Sequence, residues 1–191
     1  MLLPFTHYHK KELNPVQQAF PYLKRLDFAT GFLTFRQKGV TQSILHHLKY
    51  KGNYDLGVDM GVLFGNQMKN WLRGYDLIIP VPIHPSRKRT RGYNQSTALA
   101  EGVSRVTKIP VEEKIAHRIS HAGTQTKKSK TQRWDSISQA YMLKNIEKLE
   151  SKSVLIIDDV LTTGATIGKL AEMLETADVK RIGIMALATG K

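Results

Sequence analysis

The residues best suited in type and spacing to bind a ligand lie between Val154 and Thr166. Four apolar residues, Val154-Leu155-Ile156-Ile157, lead directly into two adjacent carboxylates, Asp158 and Asp159. A short apolar run of this kind is typical of a buried parallel strand. Because ligands of open parallel sheets bind at the carboxyl ends of strands, both aspartates are expected at a ligand-binding edge.

A stretch of hydroxyl groups and glycine, Leu161 to Thr166, follows the two aspartates. It leads into a predicted helix, and the unpaired N–H groups and the dipole of a helix N-terminus favour a phosphate group. Threonine hydroxyls add donors, and Gly164 lets the backbone approach a phosphate where a Cβ would obstruct it. We therefore interpret this stretch as a phosphate-binding loop.

The two aspartates suit a different chemical group from the loop. Carboxylates repel a phosphate, but they accept hydrogen bonds from sugar hydroxyls and can bind a Mg²⁺ ion. A phosphate at the loop and a diol at Asp158 and Asp159 together describe a ribose 5-phosphate, and Mg²⁺ is the expected metal. A solvated strand end would explain the aspartates alone, and ordinary turn chemistry would explain Thr162-Thr163-Gly164 alone. Neither explanation accounts for both features in series.

Two other nucleotide-binding motifs do not fit. A P-loop has four residues between its first glycine and the Gly-Lys pair, whereas only three separate Gly164 from Gly168-Lys169. Leu170 also stands where a P-loop has Ser or Thr. The Gly-x-Gly-x-x-Gly pattern of dinucleotide-binding folds is absent from the sequence. The segment therefore predicts a phosphoribosyl site.

The 191-residue chain has a formal net charge of +13 and contains no cysteine. The charge predicts polyanionic partners, and it is concentrated in two acid-free basic stretches, 77–100 and 114–134. A solvated basic face is the simpler explanation of such stretches. Without cysteine, a disulfide framework and a Cys-based zinc site are excluded in these residues. No run resembles a signal peptide or a membrane span, so we expect a cytoplasmic protein without membrane insertion.

Strands and helices alternate over much of the chain, which predicts an α/β fold with a parallel sheet flanked by helices. Residues 1–74 are predicted to form a small N-terminal appendage, and residues 75–191 the core. We expect a basic loop after the strand at 77–81 and a second loop at 121–138. The predicted strands are Phe28–Phe35, Leu77–Val81, Lys108–Val111, Ser153–Ile157 and Arg181–Leu187, and the predicted helices are Pro15–Leu26, Val40–Tyr50, Tyr54–Trp71, Asn94–Val106 and Gly164–Glu175.

The segment from Val154 to Thr166 resembles the diphosphate-sugar binding motif of the type I phosphoribosyltransferases at every position. Further segments are similar to the ComF branch of that family, whose members are associated with competence. These segments are Ile79–Pro85, Arg87 to Gln95, His47–Asn53 and 125–141. The resemblance implies a type I phosphoribosyltransferase core, with the N-terminal appendage as a hood.

The resemblance also implies roles for individual residues. Asp158 and Asp159 would contact the ribose hydroxyls and Mg²⁺, and the loop after Val81 would hold the diphosphate. Residues assigned to the 5-phosphate are Thr162, Thr163, Gly164, Ala165 and Thr166, and those assigned to the diphosphate are Arg87, Arg89 and Arg91. Asn94 and Gln95 would orient the ligand or simply cap the next helix.

A flap near residues 124–133 would close over the leaving group and exclude water. Lys127, Lys128 and Arg133 are the candidates to stabilise charge on the departing diphosphate. Asp159 is the candidate general base, unless it only binds the sugar. The acceptor is expected in the hood, where Phe32, Phe35, Tyr50 or Trp71 would stack on a base or belong to the core.

Two functions follow from these observations. The first is an enzyme that binds phosphoribosyl diphosphate with Mg²⁺ and transfers phosphoribosyl to or from a nitrogenous acceptor. The alternative is a nucleic-acid-binding accessory factor of DNA uptake, with single-stranded DNA as its partner. Because type I relatives are often dimers, the resemblance also favours a homodimer. ComF members commonly begin with a four-cysteine zinc module, which either lies outside these 191 residues or was lost in this member.

Overall fold

A computed structural model describes residues 2–11, 13–119 and 141–190. The strands are β1 (Leu26–Thr34), β2 (Leu77–Pro80), β3 (Ala116–Arg118), β4 (Tyr141–Leu143), β5 (Ser153–Leu161) and β6 (Arg181–Thr189). The helices are α1 (Val40–Tyr50), α2 (Tyr54–Met68), α3 (Pro85–Arg91), α4 (Gln95–Thr107) and α5 (Ala165–Glu175). Within the described ranges, none of the helices combines the length and the apolar character needed to cross a lipid bilayer.

Four strands form a central parallel sheet in the order β1–β6–β5–β2. The apolar runs that predicted β5 and β6 are buried at the centre of this sheet, as parallel strands covered on both faces should be. β3 and β4 pair with each other in antiparallel orientation. In β5, Ile157 pairs with Pro80 on one side and with Met185 on the other. The carboxyl end of β5 therefore opens between two neighbouring strand ends.

Helices cover both faces of the sheet, and each face has its own hydrophobic core. On one face α1, α2 and α4 contribute to a core that contains Phe64, Leu99 and the β5 residue Leu155. On the other face α5 contributes Leu170 to a core that contains Ile156. Adjacent β5 residues thus point into opposite cores, as strand geometry requires. The predicted α/β fold, with a parallel sheet flanked by helices, is confirmed.

Helices α2 and α4 touch through their backbones. A Cβ placed on Gly102 of α4 would lie 2.1 Å from the carbonyl oxygen of Val58, and one on Gly61 of α2 would lie 2.2 Å from that of Leu99. Only glycine permits so close an approach of two helices. The crossing fixes α4, whose first turn reaches the end of β5.

The predicted helix Pro15–Leu26 is wrong. Only a short 3-10 turn, Gln17–Ala19, forms in this segment. The side chain of Asn14 does accept two backbone N–H bonds, at 2.9 and 3.0 Å, as a cap would. Pro21 lacks the N–H group that a longer helix would need, so the turn is not extended.

The predicted strand Lys108–Val111 is also wrong. It is reduced to a single parallel bridge between Val111 and Ile78, because Pro110 has no N–H to continue a ladder. The stretch predicted as a basic loop contains the short helix α3. His84 caps α3 with its side chain, and Gly92 ends it with a φ of 82°.

The predicted N-terminal appendage shares the sheet of the predicted core. β1, which belongs to residues 1–74, is an edge strand of the central sheet and pairs with β6 in parallel. α1 and α2 contribute side chains to one of the two hydrophobic cores. Residues 1–74 are therefore part of the same sheet and the same core as β5.

Candidate functional site

Asp158 and Asp159 lie near the carboxyl end of β5, where the sequence predicted them. Oδ1 of Asp158 accepts two hydrogen bonds, one from the Ser96 hydroxyl at 3.0 Å and one from the Asp159 N–H at 2.8 Å. Among the described residues, the other oxygen of Asp158 accepts none. Asp158 is thus held in one orientation by α4 while it keeps an oxygen for a ligand.

The surroundings of Asp158 oppose its ionisation. Burial of the carboxyl group, and next the neighbouring charge of Asp159, raise the pKa of Asp158 well above its ordinary value. Hydrogen bonds from the Asp159 N–H and the Ser96 hydroxyl, together with the charge of Lys49, lower the pKa but do not cancel the rise. A ligand that brings a cation or hydroxyl donors to this carboxylate pair would therefore stabilise the ionised form of Asp158.

The predicted phosphate-binding loop joins β5 to α5. Gly164 has a φ of 86°, in the left-handed region that favours glycine, and it precedes the first residue of the helix. In the described part of the chain, the N–H groups of Thr162, Thr163 and Gly164 donate to no acceptor. The loop surrounds a cavity of about 50 Å³ lined by Asp158 and residues 160–167. Free N–H groups around a small concavity at a helix N-terminus can bind an anion.

The structure adds Lys49, to which the sequence analysis assigned no role. Its Nζ lies 3.0 Å from Oδ2 of Asp159, and the two side chains are only 21% and 13% exposed. Lys49 stands in the last turn of α1. It lies within His47–Asn53, and the resemblance of that segment to the ComF branch was the available signal in the sequence.

The last turn of α1 is bonded to the start of α4. The carbonyl of Leu48 accepts hydrogen bonds from the Tyr93 hydroxyl at 2.7 Å and from the Gln95 amide at 3.3 Å. Arg91 donates to Oε1 of Gln95 at 2.8 Å, and its guanidinium lies 5.7 Å from the ring centroid of Tyr50. Arg91 and Gln95, both predicted to contact the ligand, therefore connect the end of α1 to the start of α4 beside the site.

The remaining residues predicted to orient the ligand or to bind diphosphate lie on α3 and at the start of α4. Asn94 caps α4 by accepting from the Ser96 N–H at 3.3 Å, and it donates to the Val81 carbonyl at 3.0 Å. Arg87 and Arg89 are exposed on α3. Their assignment to diphosphate stays a prediction. The flap residues Lys127, Lys128 and Arg133 lie outside the described residues.

A cavity of about 610 Å³ lies between α3 and β3. Its lining carries one carboxylate, Glu113, which accepts a hydrogen bond from the Thr97 hydroxyl at 2.9 Å. Pro80 also lines the cavity and pairs with Ile157, so the cavity begins one strand away from Asp158. The cationic side chains of the lining are Lys88, Arg89, Lys114 and Arg118. The excess of positive charge suits a polyanionic ligand.

A second cavity, of about 370 Å³, lies beside the phosphate-binding loop and is lined in part by Thr162 and Lys49. Of the aromatic residues considered for an acceptor, Phe35 and Tyr50 line this cavity. Phe32 instead belongs to the core, where it stacks on Phe64 with 4.4 Å between ring centroids. The segment predicted to hold the acceptor thus supplies a partly apolar cavity next to the loop.

The two carboxylates of the site suit a metal ion that is bound partly by the protein and partly by a substrate. In the described residues, no group of three or more His, Cys, Asp or Glu side chains is placed to hold a metal ion. Mg²⁺ is usually held by one or two carboxylates together with water and substrate phosphates. Asp158 and Asp159 fit that pattern, so they would hold Mg²⁺ jointly with a phosphorylated ligand.

Comparison with known proteins identifies the class to which this site belongs. Residues 94–191, just over half of the chain, match the family described as "Phosphoribosyl transferase domain", and the chain belongs to that family. The matched region begins at the cap of α4 and includes β5, the phosphate-binding loop and β6. Within the type I phosphoribosyltransferases, the chain is a ComF-like member.

Relatives of this branch align with a large part of the chain. Competence protein F of Haemophilus influenzae is 33% identical over 114 residues, which cover 59% of this chain and 50% of the relative. Competence protein ComFC of Streptococcus pneumoniae is 26% identical over 139 residues, 73% of this chain and 59% of the relative. The chain thus spans only about half the length of these relatives.

Solved structures share the fold at low sequence identity. The glutamine phosphoribosylpyrophosphate amidotransferase of Bacillus subtilis superimposes with a TM-score of 0.52 at 18% identity. The match covers 70% of this chain and 26% of that enzyme. This similarity supports the type I phosphoribosyltransferase fold.

Proposed function

We infer that the chain binds phosphoribosyl diphosphate with Mg²⁺ and transfers the phosphoribosyl group to or from a nitrogenous acceptor. One observation carries this proposal: the N–H groups of residues 162–164, which have no acceptor among the described residues, follow the carboxylates of Asp158 and Asp159 within a few residues at one strand end. The loop supports binding of the 5-phosphate. The carboxylates support binding of the ribose hydroxyls.

In the transfer, the bond between ribose C1 and the diphosphate oxygen breaks, and its electron pair leaves with the diphosphate. The acceptor nitrogen forms the new bond to C1, and the proton that it loses passes to Asp159 or to water. Bound Mg²⁺ would neutralise negative charge on the diphosphate. Lys88 and Arg89 line the basic cavity, which supports a role for them in pairing with the leaving group. Lys127 and Arg133 remain predicted to take the same role.

Calorimetric titration of phosphoribosyl diphosphate into the protein, with and without Mg²⁺, tests the proposal. We expect saturable binding with one site per chain, weakened when Mg²⁺ is omitted. Ribose 5-phosphate should compete, because it carries the groups that the loop and the aspartates would hold. Absence of heat and of competition at millimolar ligand would refute the proposal.

Replacement of Gly164 by alanine should weaken binding of phosphoribosyl diphosphate by about tenfold or more, since a hydrogen bond to a charged group contributes about 1.5–3 kcal/mol. A Cβ at this position would lie 3.0 Å from two ring atoms of the buried Phe20, and the φ of +86° is unfavourable for alanine. Gly52→Ala is a matched control, because Gly52 has a φ of +63° with nothing within 4 Å of the added Cβ. The control should lose stability without losing affinity; equal affinities in both variants would contradict the expectation.

A second function, binding of single-stranded DNA, is favoured by the surface of α3. Arg87, Lys88 and Arg89 are exposed, and none of them takes part in an ion pair within the described residues. Relatives of the chain are named competence proteins, and one from Escherichia coli is named a DNA utilization protein. These names point to partners made of DNA.

Fluorescence anisotropy with a labelled oligothymidylate measures this second function. Affinity should fall steeply with salt, because each neutralised phosphate releases a counterion. The triple variant Arg87→Gln/Lys88→Gln/Arg89→Gln should reduce the magnitude of the slope of log K against log salt by about 2, because each phosphate contact contributes about 0.7 to the slope. The control variant Lys10→Gln/Lys24→Gln/Lys180→Gln removes the same amount of charge from three exposed lysines outside α3. Equal slopes for the two triple variants would exclude α3 as the contact surface.

A further inference from the structure

The ion pair between Lys49 and Asp159 differs from the other ion pairs of the described residues. Its side chains are 21% and 13% exposed, whereas every other pair contains at least one side chain that is 38% exposed or more. Like the pairs Arg25–Asp178 and Arg181–Asp27, it joins parts of the chain that are distant in sequence, here the last turn of α1 and the end of β5. A shielded ion pair resists screening by salt, so the charge of Lys49 acts on Asp159 under ordinary ionic conditions.

Lys49 faces both ligand-binding parts of the proposed site. Its ammonium contacts Asp159, and its side chain lines the cavity of about 370 Å³ together with Thr162 of the phosphate-binding loop. The backbone that carries Lys49 is held in place, because the carbonyl of the preceding Leu48 accepts bonds from Tyr93 and Gln95. The side chain alone is free to change partner, since lysine has a flexible stem and a compact charge.

We propose that Lys49 is the resident counter-ion of Asp159 and couples metal binding to binding of the phosphorylated ligand. Without a ligand, the ammonium occupies Oδ2 of Asp159 and offsets the repulsion between the two adjacent carboxylates. A divalent cation that binds alone must displace this ammonium, and the displaced ammonium then gains no new partner. When a phosphorylated ligand is present, the displaced ammonium pairs with a phosphate oxygen, so the cation and the ligand bind together more favourably than either alone.

This proposal rests on the proposed binding of phosphoribosyl diphosphate, but part of it can be tested without that ligand. The probe is Mn²⁺, whose free concentration is measured by electron paramagnetic resonance. Lys49→Met should bind Mn²⁺ alone about tenfold more tightly than the wild type, within the usual range of coupling energies between sites. Phosphoribosyl diphosphate should tighten Mn²⁺ binding strongly in the wild type and by a factor about tenfold smaller in Lys49→Met.

Two control variants separate the charge contact from general effects. Lys51→Met removes the same charge from an exposed position two residues away and should behave as the wild type. Lys49→Arg keeps a cation beside Asp159 and should restore most of the coupling. If Lys49→Met does not fold, as judged by circular dichroism, Lys49→Gln provides the same neutralisation with a polar group in its place.

The outcomes distinguish this inference from the proposed function. If phosphoribosyl diphosphate tightens Mn²⁺ binding equally in the wild type and in the neutral Lys49 variants, and Mn²⁺ alone binds them equally, the counter-ion role is wrong while the proposed function stands. If phosphoribosyl diphosphate has no effect on the wild type, the proposed function fails. Tighter binding of Mn²⁺ alone to Lys49→Met would then still support the counter-ion role at Asp159.

Discussion

Replacement of both site aspartates, as Asp158→Asn/Asp159→Asn, should weaken binding of phosphoribosyl diphosphate by a hundredfold or more. Each carboxylate is assigned hydrogen bonds from ribose hydroxyls, and a bond to a charged group contributes about 1.5–3 kcal/mol. Two such losses amount to about 3 kcal/mol or more, which corresponds to at least a hundredfold in Kd. Loss of the shared Mg²⁺ ligands adds to this effect. Calorimetric titration at fixed Mg²⁺ measures it directly.

The asparagines should leave the fold intact, which makes the loss of binding interpretable. An amide oxygen at position 158 can still accept from the Ser96 hydroxyl and from the N–H of residue 159, and the repulsion between the two carboxylates disappears. A matched control removes two exposed acids from α2, as Asp55→Asn/Asp59→Asn. Equal affinities in the site variant, the control and the wild type would show that the aspartates do not bind the ligand.

Substitution of Gly102 by alanine should reduce the free energy of unfolding by about 3 kcal/mol, at the upper end of ordinary overpacking. The added Cβ would lie 2.1 Å from the carbonyl oxygen of Val58 and 2.7 Å from the Cα of Gly61. Both atoms belong to the backbone of α2, so the helices must move apart. On helix propensity alone, alanine would stabilise α4 by about 1 kcal/mol, so the sign of the effect identifies the contact.

Urea unfolding of Gly102→Ala and Gly65→Ala measures this effect on a graded scale. A Cβ on Gly65 would lie 3.1 Å from the Cα of Val103, a contact that small movements can relieve. Gly65→Ala should therefore lose much less stability than Gly102→Ala. A Gly102→Ala protein as stable as the wild type would show that α2 and α4 are not in direct backbone contact.

Elements formed by local interactions could be predicted from the sequence more closely than elements that depend on distant contacts. Helix α1 and the centres of β5 and β6 were predicted well, because their side-chain periodicity reflects burial on a known face. The helix predicted for Pro15–Leu26 and the strand predicted for Lys108–Val111 failed. In both segments a proline interrupts the backbone hydrogen bonds that the local pattern suggested.

At the site, the parts that lie close together along the chain could be predicted from local sequence. The aspartates, the free N–H groups and Gly164 lie within a few residues, so a strand, a loop and a helix start suffice to assemble them. The hydrogen bond from Ser96 that orients Asp158 and the ion pair of Lys49 with Asp159 arise from tertiary packing. Those contacts join residues far apart in sequence. They form because α4 packs closely against α2 and because the end of α1 is hydrogen-bonded to the start of α4. No local pattern carries that information, since it depends on how the helices pack on the sheet.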